Sequence, residues 1–178
     1  MRDLTRLAHN LDRDARTCQV IIETPKGARS KYDYEPDTDL FRLKTLLPEG
    51  MSFPLDFGFV PSTLCDDGDP LDVMVLGDEP SVVGALISVR LVGVFEAEEH
   101  EKGKVERNDR LLAIPLVSHL YGRIESVKEL DPDFLRHLAD FWVQKAKLEA
   151  KEFTLLDMKD GGAAVTLLLG AAKAAKRA

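Results

Sequence analysis

The chain has 178 residues, the usual size of one compact domain, and can bury a core without a disulfide or metal staple. Hydrophobic residues make up 44% and charged residues 31%, a balance that argues against a disordered chain. The 24 basic and 31 acidic residues give a net charge of -7, which disfavours nucleic acid and anionic membranes as partners.

Cysteine usage and the chain ends predict a cytoplasmic protein. Cys18 and Cys65 are too few for a disulfide framework, and we expect both to be reduced thiols. The charged N-terminus lacks the apolar stretch of a signal peptide. The longest uncharged stretch, residues 161–172, is shorter than the roughly 20 apolar residues that span a bilayer. The sequence therefore predicts a single domain over residues 1–178, with no membrane partner.

The predicted elements begin with a short amphipathic helix over residues 3–15, where leucines recur at helical spacing. Short apolar or alternating runs bounded by Gly and Pro then predict strands. These strands cover residues 20–22, 31–34, 40–43, 71–76, 82–95 and 111–117. The charge-dense segment 96–110 predicts a solvated hairpin loop. Several strands with this punctuation are typical of a barrel or sandwich.

One long helix is predicted to begin after Asp131, a good N-cap, with Pro132 at its first position. Apolar residues then recur through residue 149, and we interpret them as the face that packs on the sheet. These residues are Phe134, Leu138, Phe141, Trp142 and Leu148. The Ala- and Lys-rich tail, residues 167–178, predicts a short C-terminal helix.

The feature that carries chemistry is a run of aspartates within seven positions, just before the predicted strand 71–76. These are Asp66, Asp67, Asp69 and Asp72. Gly68 and Pro70 favour a turn in which the carboxylates converge. Two carboxylates about 4 Å apart repel by about 4 kcal/mol at an effective dielectric constant near 20, so the cluster must take up protons or bind a cation. Oxygen ligands suit Mg²⁺ or Mn²⁺ better than zinc.

The alternative interpretation of this segment is a surface turn with every side chain in water. The placement of Asp72 inside an apolar strand argues against it. Cys65, beside the acidic residues, is predicted to be a packing residue, because neighbouring carboxylates raise the pKa of a thiol. The four histidines have no spacing that suggests a metal site. They are His9, His100, His119 and His137.

Residues 67–73, Asp-Gly-Asp-Pro-Leu-Asp-Val, resemble the signature of the family I soluble inorganic pyrophosphatases. Flanking segments extend the resemblance over residues 20–149. They are 23–25, 31–33, 53–61, 92–94, 111–115, 141–142 and 148–149. The resemblance implies an α+β fold, a small OB-like β-barrel with a long packed helix and short terminal helices. It also implies a homo-oligomer that hydrolyses pyrophosphate to two phosphates with Mg²⁺, or with Mn²⁺ as an alternative ion.

The same resemblance assigns roles to individual residues. Asp67, Asp69 and Asp72 are metal ligands, and Asp69 is the catalytic residue that orients or deprotonates the attacking water. Two further metal ligands are Glu99, with Glu98 as an alternative register, and Asn108, with Asp109 as a neighbouring candidate. The substrate-binding residues are Lys31, Lys44, Arg110 and Lys145, with Lys147 as an alternative to Lys145. The supporting residues are Glu23, Asp33 and Phe57.

Several of these positions differ from the family pattern. The family has Glu at Asp33, Arg at Lys44, Tyr at Phe57, Asp at Glu99 and Asn108, Lys at Arg110, and Tyr-Lys at Lys145-Ala146. Each lost carboxylate or charge-assisted bond to phosphate can cost about 1–3 kcal/mol. Two alternatives therefore stay open: a weakly active or non-catalytic homologue that binds metal and phosphate, and a hydrolase of another phosphoanhydride.

Overall fold

The computed structural model describes residues 3–177, so Met1 and Arg2 of the predicted domain and Ala178 of the predicted C-terminal helix lie outside the described residues. The strands are β1 (Thr17–Thr24), β2 (Ser30–Glu35), β3 (Leu40–Leu46), β4 (Asp56–Val60), β5 (Leu71–Val75), β6 (Leu86–Glu101), β7 (Lys104–Arg107), β8 (Arg110–Pro115) and β9 (Glu152–Asp160). The α-helices are α1 (Pro132–Leu148) and α2 (Gly161–Ala175), and short 3-10 turns cover Leu4–Arg6 and Val127–Glu129.

Five strands close into a ring in the order β1-β4-β5-β8-β6, with β6 pairing back onto β1. The pairs are antiparallel except for β5 and β8, which run parallel. The distal half of the long strand β6 leaves the ring and pairs with β7 and β9. Strands β2 and β3 form a separate hairpin. This ring with its two helices confirms the predicted α+β, OB-like fold.

The ring strands are buried on both faces. In β5, Val73 and Val75 belong to a core that α2 covers, whereas Met74 and Leu76 belong to a second core under α1. Burial on both faces explains why the strand is a nearly continuous apolar run rather than an alternating one. Since side chains alternate along a strand, Asp72 shares the face of Met74 and points to the α1 side.

Helix α1 begins as predicted. The Asp131 carboxylate accepts a hydrogen bond from the amide of Asp133 at 2.8 Å, and Pro132 is the first helical residue. Trp142 is buried on the sheet, and its Nε1 donates to the sulfur of Met74 at 3.1 Å. Leu148, predicted on the packing face, is instead 55% exposed. It follows Trp142 by six residues, which places it roughly 240° around the helix and away from the sheet.

The predicted helix over residues 3–15 is wrong, because only Leu4–Arg6 forms one 3-10 turn. Asn10 and Arg16 have left-handed backbone, with φ of 49° and 55°, which interrupts a helix. The amide of Gln19 donates to the carbonyl of His9 at 2.7 Å, so the segment runs beside β1. Pairing with the sheet therefore overrides the helical spacing of the leucines.

Strand limits differ from the prediction where long-range pairing decides them. The strand predicted over 82–95 is β6, which begins four residues later and continues to Glu101. The segment 96–110, predicted as a solvated loop, contains the end of β6, all of β7 and the first residue of β8. Strand β8 ends at Pro115 rather than at residue 117. Strands β4 and β9 were not predicted, since neither shows clear alternation in its sequence.

The C-terminal helix begins at Gly161, six residues before the predicted start. The Asp160 carboxylate caps it by accepting hydrogen bonds from the amides of Gly162 and Ala163 at 3.0 and 3.2 Å. Across residues 3–177, neither helix combines the length and apolar character needed to traverse a bilayer.

Gly58 lets β1 and β4 approach closely, and this contact generates a stability prediction. A Cβ atom at Gly58 would lie 1.9 Å from the carbonyl oxygen of Ile21. We expect Gly58→Ala to lower the free energy of unfolding by about 3 kcal/mol, because backbone must move to relieve the clash. Urea unfolding followed by circular dichroism measures the change.

Gly170 provides the matched control. It lies in α2, and an added Cβ would meet nothing within 4 Å. We expect Gly170→Ala to stabilise the protein by about 1 kcal/mol, since alanine favours a helix. Equal free energies of unfolding for Gly58→Ala and the unaltered protein would contradict the close approach of the two strands.

Candidate active site

All of the predicted site residues line one cavity of about 640 Å³. The cavity lies where the ring, the β2–β3 hairpin and the C-terminal end of α1 meet. The acidic residues are Glu23, Asp33, Asp67, Asp69, Asp72 and Glu99. The remaining predicted residues are Lys31, Lys44, Phe57, Asn108, Arg110 and Lys145. Residues from distant parts of the chain therefore share one chamber.

The loop between β4 and β5 presents its acidic residues through a tight turn. Gly68 has a φ of 90°, and the amide of Cys65 donates to the carbonyl of Asp69 at 2.8 Å. The Asp67 carboxylate accepts a hydrogen bond from the amide of Asp69 at 3.0 Å. Asp66 does not line the cavity, so three of the four clustered aspartates face it.

These aspartates share the cavity without forming a finished metal cage. Within residues 3–177, no group of three carboxylate, thiol or imidazole side chains stands in metal-binding geometry. Asp67 and Asp69 are exposed, and exposed side chains change rotamer within nanoseconds. The three aspartates nevertheless line one cavity, and their oxygen donors fit a hard divalent cation by their chemistry.

Asp72 is the least exposed of the three aspartates in the cavity lining. Its side chain is 28% exposed on β5, and Oδ2 lies 3.7 Å from Nε of Arg110. Burial raises the pKa of Asp72 to about 6, and the charges of Asp67 and Asp69 act in the same direction, while Arg110 and Lys31 oppose them. A cation bound here would relieve the cost of ionising this carboxylate.

Arg110 is buried between two aromatic rings. Its guanidinium carbon lies 4.1 Å from the ring centroid of Trp142 and 5.0 Å from that of Phe153. Nη2 donates to Oε1 of Glu99 at 2.9 Å, and Nη1 donates to the carbonyl of Asn108 at 3.1 Å. The stacking holds the planar guanidinium in a fixed orientation at the cavity wall.

The β2–β3 hairpin contributes two lysines that share one carboxylate. Lys31 forms an ion pair with Oδ1 of Asp33, and Nζ of Lys44 lies 3.6 Å from Oδ2. Burial would lower the pKa of Lys31, but the adjacent Asp33 outweighs it and raises the pKa. Both lysines reach the cavity, and the Lys44 side chain is the more exposed at 65%.

Helix α1 supplies Lys145 rather than Lys147. Lys145 is 7% exposed, and its Nζ donates to Oε1 of Glu149 at 2.7 Å. Burial lowers the pKa of Lys145, and Glu149 partly opposes this effect. Lys147 is exposed and lies outside the cavity lining. The helix thus turns only one of the two candidate cations toward the site.

Strands β6 and β8 decide between the alternative acidic positions. Glu99 lines the cavity, whereas Glu98 does not, because neighbouring side chains point to opposite faces. Asn108 likewise lines the cavity, whereas Asp109 accepts a hydrogen bond from the amide of Ala97 at 2.9 Å on the other side. Asp109 therefore does not occupy the place of Asn108.

Several lining residues were missed by sequence reasoning. Trp142 was interpreted as packing only, and Glu106, Glu149 and Lys151 received no role. Glu149 has a detectable signal, since it follows Lys145 by four residues on one helix face. Lys151 has none, because its position depends on how α1 ends and β9 begins.

Cys65 behaves as a packing residue. It contacts the core under α2, and burial raises the pKa of its thiol to about 12, with Asp67 and Asp72 adding to the shift. The contact agrees with the predicted packing role, although burial raises the pKa of the thiol more than the neighbouring carboxylates do.

Glu23 generates a pH-dependent prediction. It is 9% exposed, and burial raises its pKa from 4.5 to about 7. The protonated form is favoured in the folded chain, so its stabilising contribution is complete below pH 4.5 and is lost as the pH rises through 7. We expect Glu23→Gln to raise the free energy of unfolding at pH 8 by up to about 3 kcal/mol, with little change at acid pH.

Urea unfolding at both pH values in the presence of a chelator measures this effect. Glu152→Gln serves as the control, because Glu152 is exposed at the start of β9 and lies outside the cavity. The same pH dependence in Glu23→Gln and the unaltered protein would contradict the raised pKa of Glu23.

Comparison with known proteins places this geometry in one family. The family model described as inorganic pyrophosphatase matches residues 20–176. The inorganic pyrophosphatase of a Synechocystis species is 34% identical over 149 residues, covering 84% of this chain and 86% of that protein. The inorganic pyrophosphatase of Nanoarchaeum equitans is 39% identical over 136 residues, covering 75% of this chain and 81% of that protein.

A solved structure agrees over nearly the whole chain. The crystal structure of inorganic pyrophosphatase from Thermus thermophilus superposes with a TM-score of 0.90 at 27% identity. The match covers 98% of this chain and 99% of that chain. The chain therefore belongs to the inorganic pyrophosphatase family.

Proposed function

We propose that this protein hydrolyses inorganic pyrophosphate to two phosphates, with Mg²⁺ as the ion it uses and Mn²⁺ as an alternative. One observation carries the proposal: in this member of the family, three clustered aspartates and five basic side chains line a single cavity. Acidic residues outnumber basic ones in its lining. A tetra-anionic substrate would be repelled without a cation, which supports metal dependence.

The metal position is proposed from the donor set. Asp67, Asp69 and Asp72 supply the carboxylate oxygens that Mg²⁺ prefers, and Glu99 and Asn108 are the proposed ligands of a second ion. A divalent ion supplies charge neutralisation of the phosphates and makes a nearby water molecule more acidic. Asp69 is proposed to accept the proton of the attacking water, since it lies in the cavity on the exposed side of the turn.

The proposed substrate-binding cations are Lys31, Lys44, Arg110 and Lys145. Each contacts a carboxylate in the structure: Asp33 pairs with both lysines of the hairpin, Glu99 with Arg110, and Glu149 with Lys145. These contacts hold the cations in place before substrate arrives. Phosphate oxygens would then compete with the carboxylates for the same cations. Among the supporting residues, Asp33 pairs with Lys31 and Lys44, and Glu23 accepts a hydrogen bond from the amide of Tyr34 at 2.7 Å. Phe57 packs on Trp142 at 5.1 Å between ring centroids.

We also propose a single cytoplasmic domain that assembles into a homo-oligomer. The assembly is supported by large apolar side chains at the surface. Leu86, Leu116 and Val117, which are 50%, 49% and 82% exposed, line one surface cavity. Side chains of this kind, grouped on a surface, commonly mark an interface with another chain. Analytical ultracentrifugation of the purified protein tests this part of the proposal.

Asp69→Asn tests the catalytic assignment. We expect release of phosphate from pyrophosphate to fall by about 100-fold or more, because an amide cannot accept the proton of water. Phosphate release in saturating Mg²⁺ is the measurement, with tripolyphosphate and ATP as further substrates. Asp66→Asn is the matched control, since Asp66 lies in the same loop but outside the cavity lining, and we expect it to keep full activity. Undiminished turnover in Asp69→Asn would remove Asp69 from the mechanism.

Asn108→Asp tests the proposed second metal position. The change adds a carboxylate to the cavity lining, so we expect the affinity for Mn²⁺ to rise by about tenfold. Isothermal titration calorimetry measures the change. Asp109→Asn is the comparison variant, because Asp109 lies outside the lining of this cavity and accepts a hydrogen bond from the amide of Ala97, and we expect it to leave the Mn²⁺ affinity unchanged. An unchanged affinity in Asn108→Asp would argue against a metal ion at this position.

A further inference from the structure

Both carboxylate oxygens of Glu99 contact basic side chains. Oε1 accepts a hydrogen bond from Nη2 of Arg110 at 2.9 Å, and Oε2 lies 3.4 Å from Nζ of Lys151. The Glu99 side chain is only 16% exposed, so solvent screens these contacts weakly. A carboxylate between two cations attracts a third cation less strongly than a free one does.

The fold builds the position of Lys151. The backbone amide of Lys151 donates to the carbonyl of Ala146 at 2.9 Å, which ties the residue to the end of α1. Ala150 has a φ of 56°, which turns the chain back toward the sheet. Phe153 then pairs with Glu99 in the β6–β9 register. The chain on both sides of Lys151 is therefore fixed, and this fixes Lys151 beside Glu99.

The two ends of the cavity differ in charge. At the Glu99 end, Arg110 and Lys151 each contact one oxygen of Glu99, and the neighbouring donors are the neutral Asn108 and the exposed Glu106, which lies opposite Glu99 in the β6–β7 register. At the loop end, neither Asp67 nor Asp69 forms an ion pair with any basic residue of the described chain. A divalent ion therefore meets aspartates without basic partners at the loop, and at Glu99 a carboxylate whose two oxygens already contact cations.

We propose that Lys151 competes with a divalent ion for Glu99, so that its ammonium group substitutes for the second metal ion. The inference rests on the proposed metal-dependent function and adds that the two metal positions fill with unequal affinity. The first ion binds at the acidic loop. The second binds at Glu99 and Asn108 only when Lys151 leaves its contact with Oε2.

Titration with Mn²⁺ tests this inference, with free Mn²⁺ counted by electron paramagnetic resonance. We expect Lys151→Met to bind the second Mn²⁺ about tenfold more tightly than the unaltered protein, with the first affinity unchanged. Lys151→Arg keeps the charge, and we expect it to retain the original second affinity. Thermal unfolding of each variant confirms that it is folded.

Lys102→Met is the matched control. Lys102 lies 3.5 Å from Glu101, a residue that Lys151 also contacts at 3.6 Å, but Lys102 is 88% exposed and forms no ion pair with Glu99. Its removal changes the net charge by the same amount as Lys151→Met. We expect the second Mn²⁺ affinity of Lys102→Met to equal that of the unaltered protein.

A double variant, Glu99→Gln with Lys151→Met, shows whether the tighter binding of the second Mn²⁺ depends on Glu99. We expect the double variant to lose the increase in affinity that Lys151→Met alone produces. The inference is overturned if Lys151→Met leaves the second affinity unchanged, raises both affinities equally, or keeps its gain in the double variant. If the proposed function is wrong, the unaltered protein will not hydrolyse pyrophosphate in saturating Mg²⁺. The Mn²⁺ binding measurements do not depend on that activity, so the two failures can be told apart.

Discussion

The parallel pairing of β5 with β8 is the constraint on which the site depends. Val73 pairs with Leu111, and one residue before these partners lie Asp72 and Arg110. Both strands are buried on their two faces, and a slip of one residue would turn every side chain to the wrong core. Packing of apolar residues thus holds an acidic and a basic group 3.7 Å apart at the edge of the cavity.

Helix α1 lowers the free-energy cost of burying the Arg110 guanidinium. A buried guanidinium is costly unless it is paired, and here Glu99 accepts its hydrogen bond while Trp142 and Phe153 cover its faces. The same helix carries Lys145 one turn beyond Trp142. The packing of α1 on the sheet therefore shapes the core and presents a cation to the cavity at once.

The cavity is an array of internal ion pairs beside an acidic turn that has none. Lys31, Lys44, Arg110 and Lys145 all contact carboxylates, whereas Asp67 and Asp69 form no ion pair with basic side chains among the described residues. The proposed metal-dependent hydrolysis requires both an acidic turn for the cation and basic side chains for the anion. It suits the chemistry of a phosphoanhydride, in which negative charge must be neutralised as the leaving phosphate departs.

Sequence reasoning succeeded where local chemistry decides. The acidic turn, the cap of α1 and the apolar strand β5 were all predicted, and each depends on residues close in sequence: Gly68 in the turn, Asp131 at the cap, and Val73 with Met74 in the strand. It failed for β4 and β9, whose conformations depend on pairing with strands far along the chain, and for β7, a charged strand that forms a hairpin with the end of β6.

The amino-acid sequence by itself determined which chemical groups the protein has for binding a cation and a phosphate, because the acidic signature is a continuous segment. Only the tertiary structure decided which of them share the cavity: Glu99 rather than Glu98, Asn108 rather than Asp109, and Lys145 rather than Lys147. It alone placed Lys151 against Glu99. The physical reason is that the direction of a side chain follows from strand register and helix rotation, which long-range packing sets.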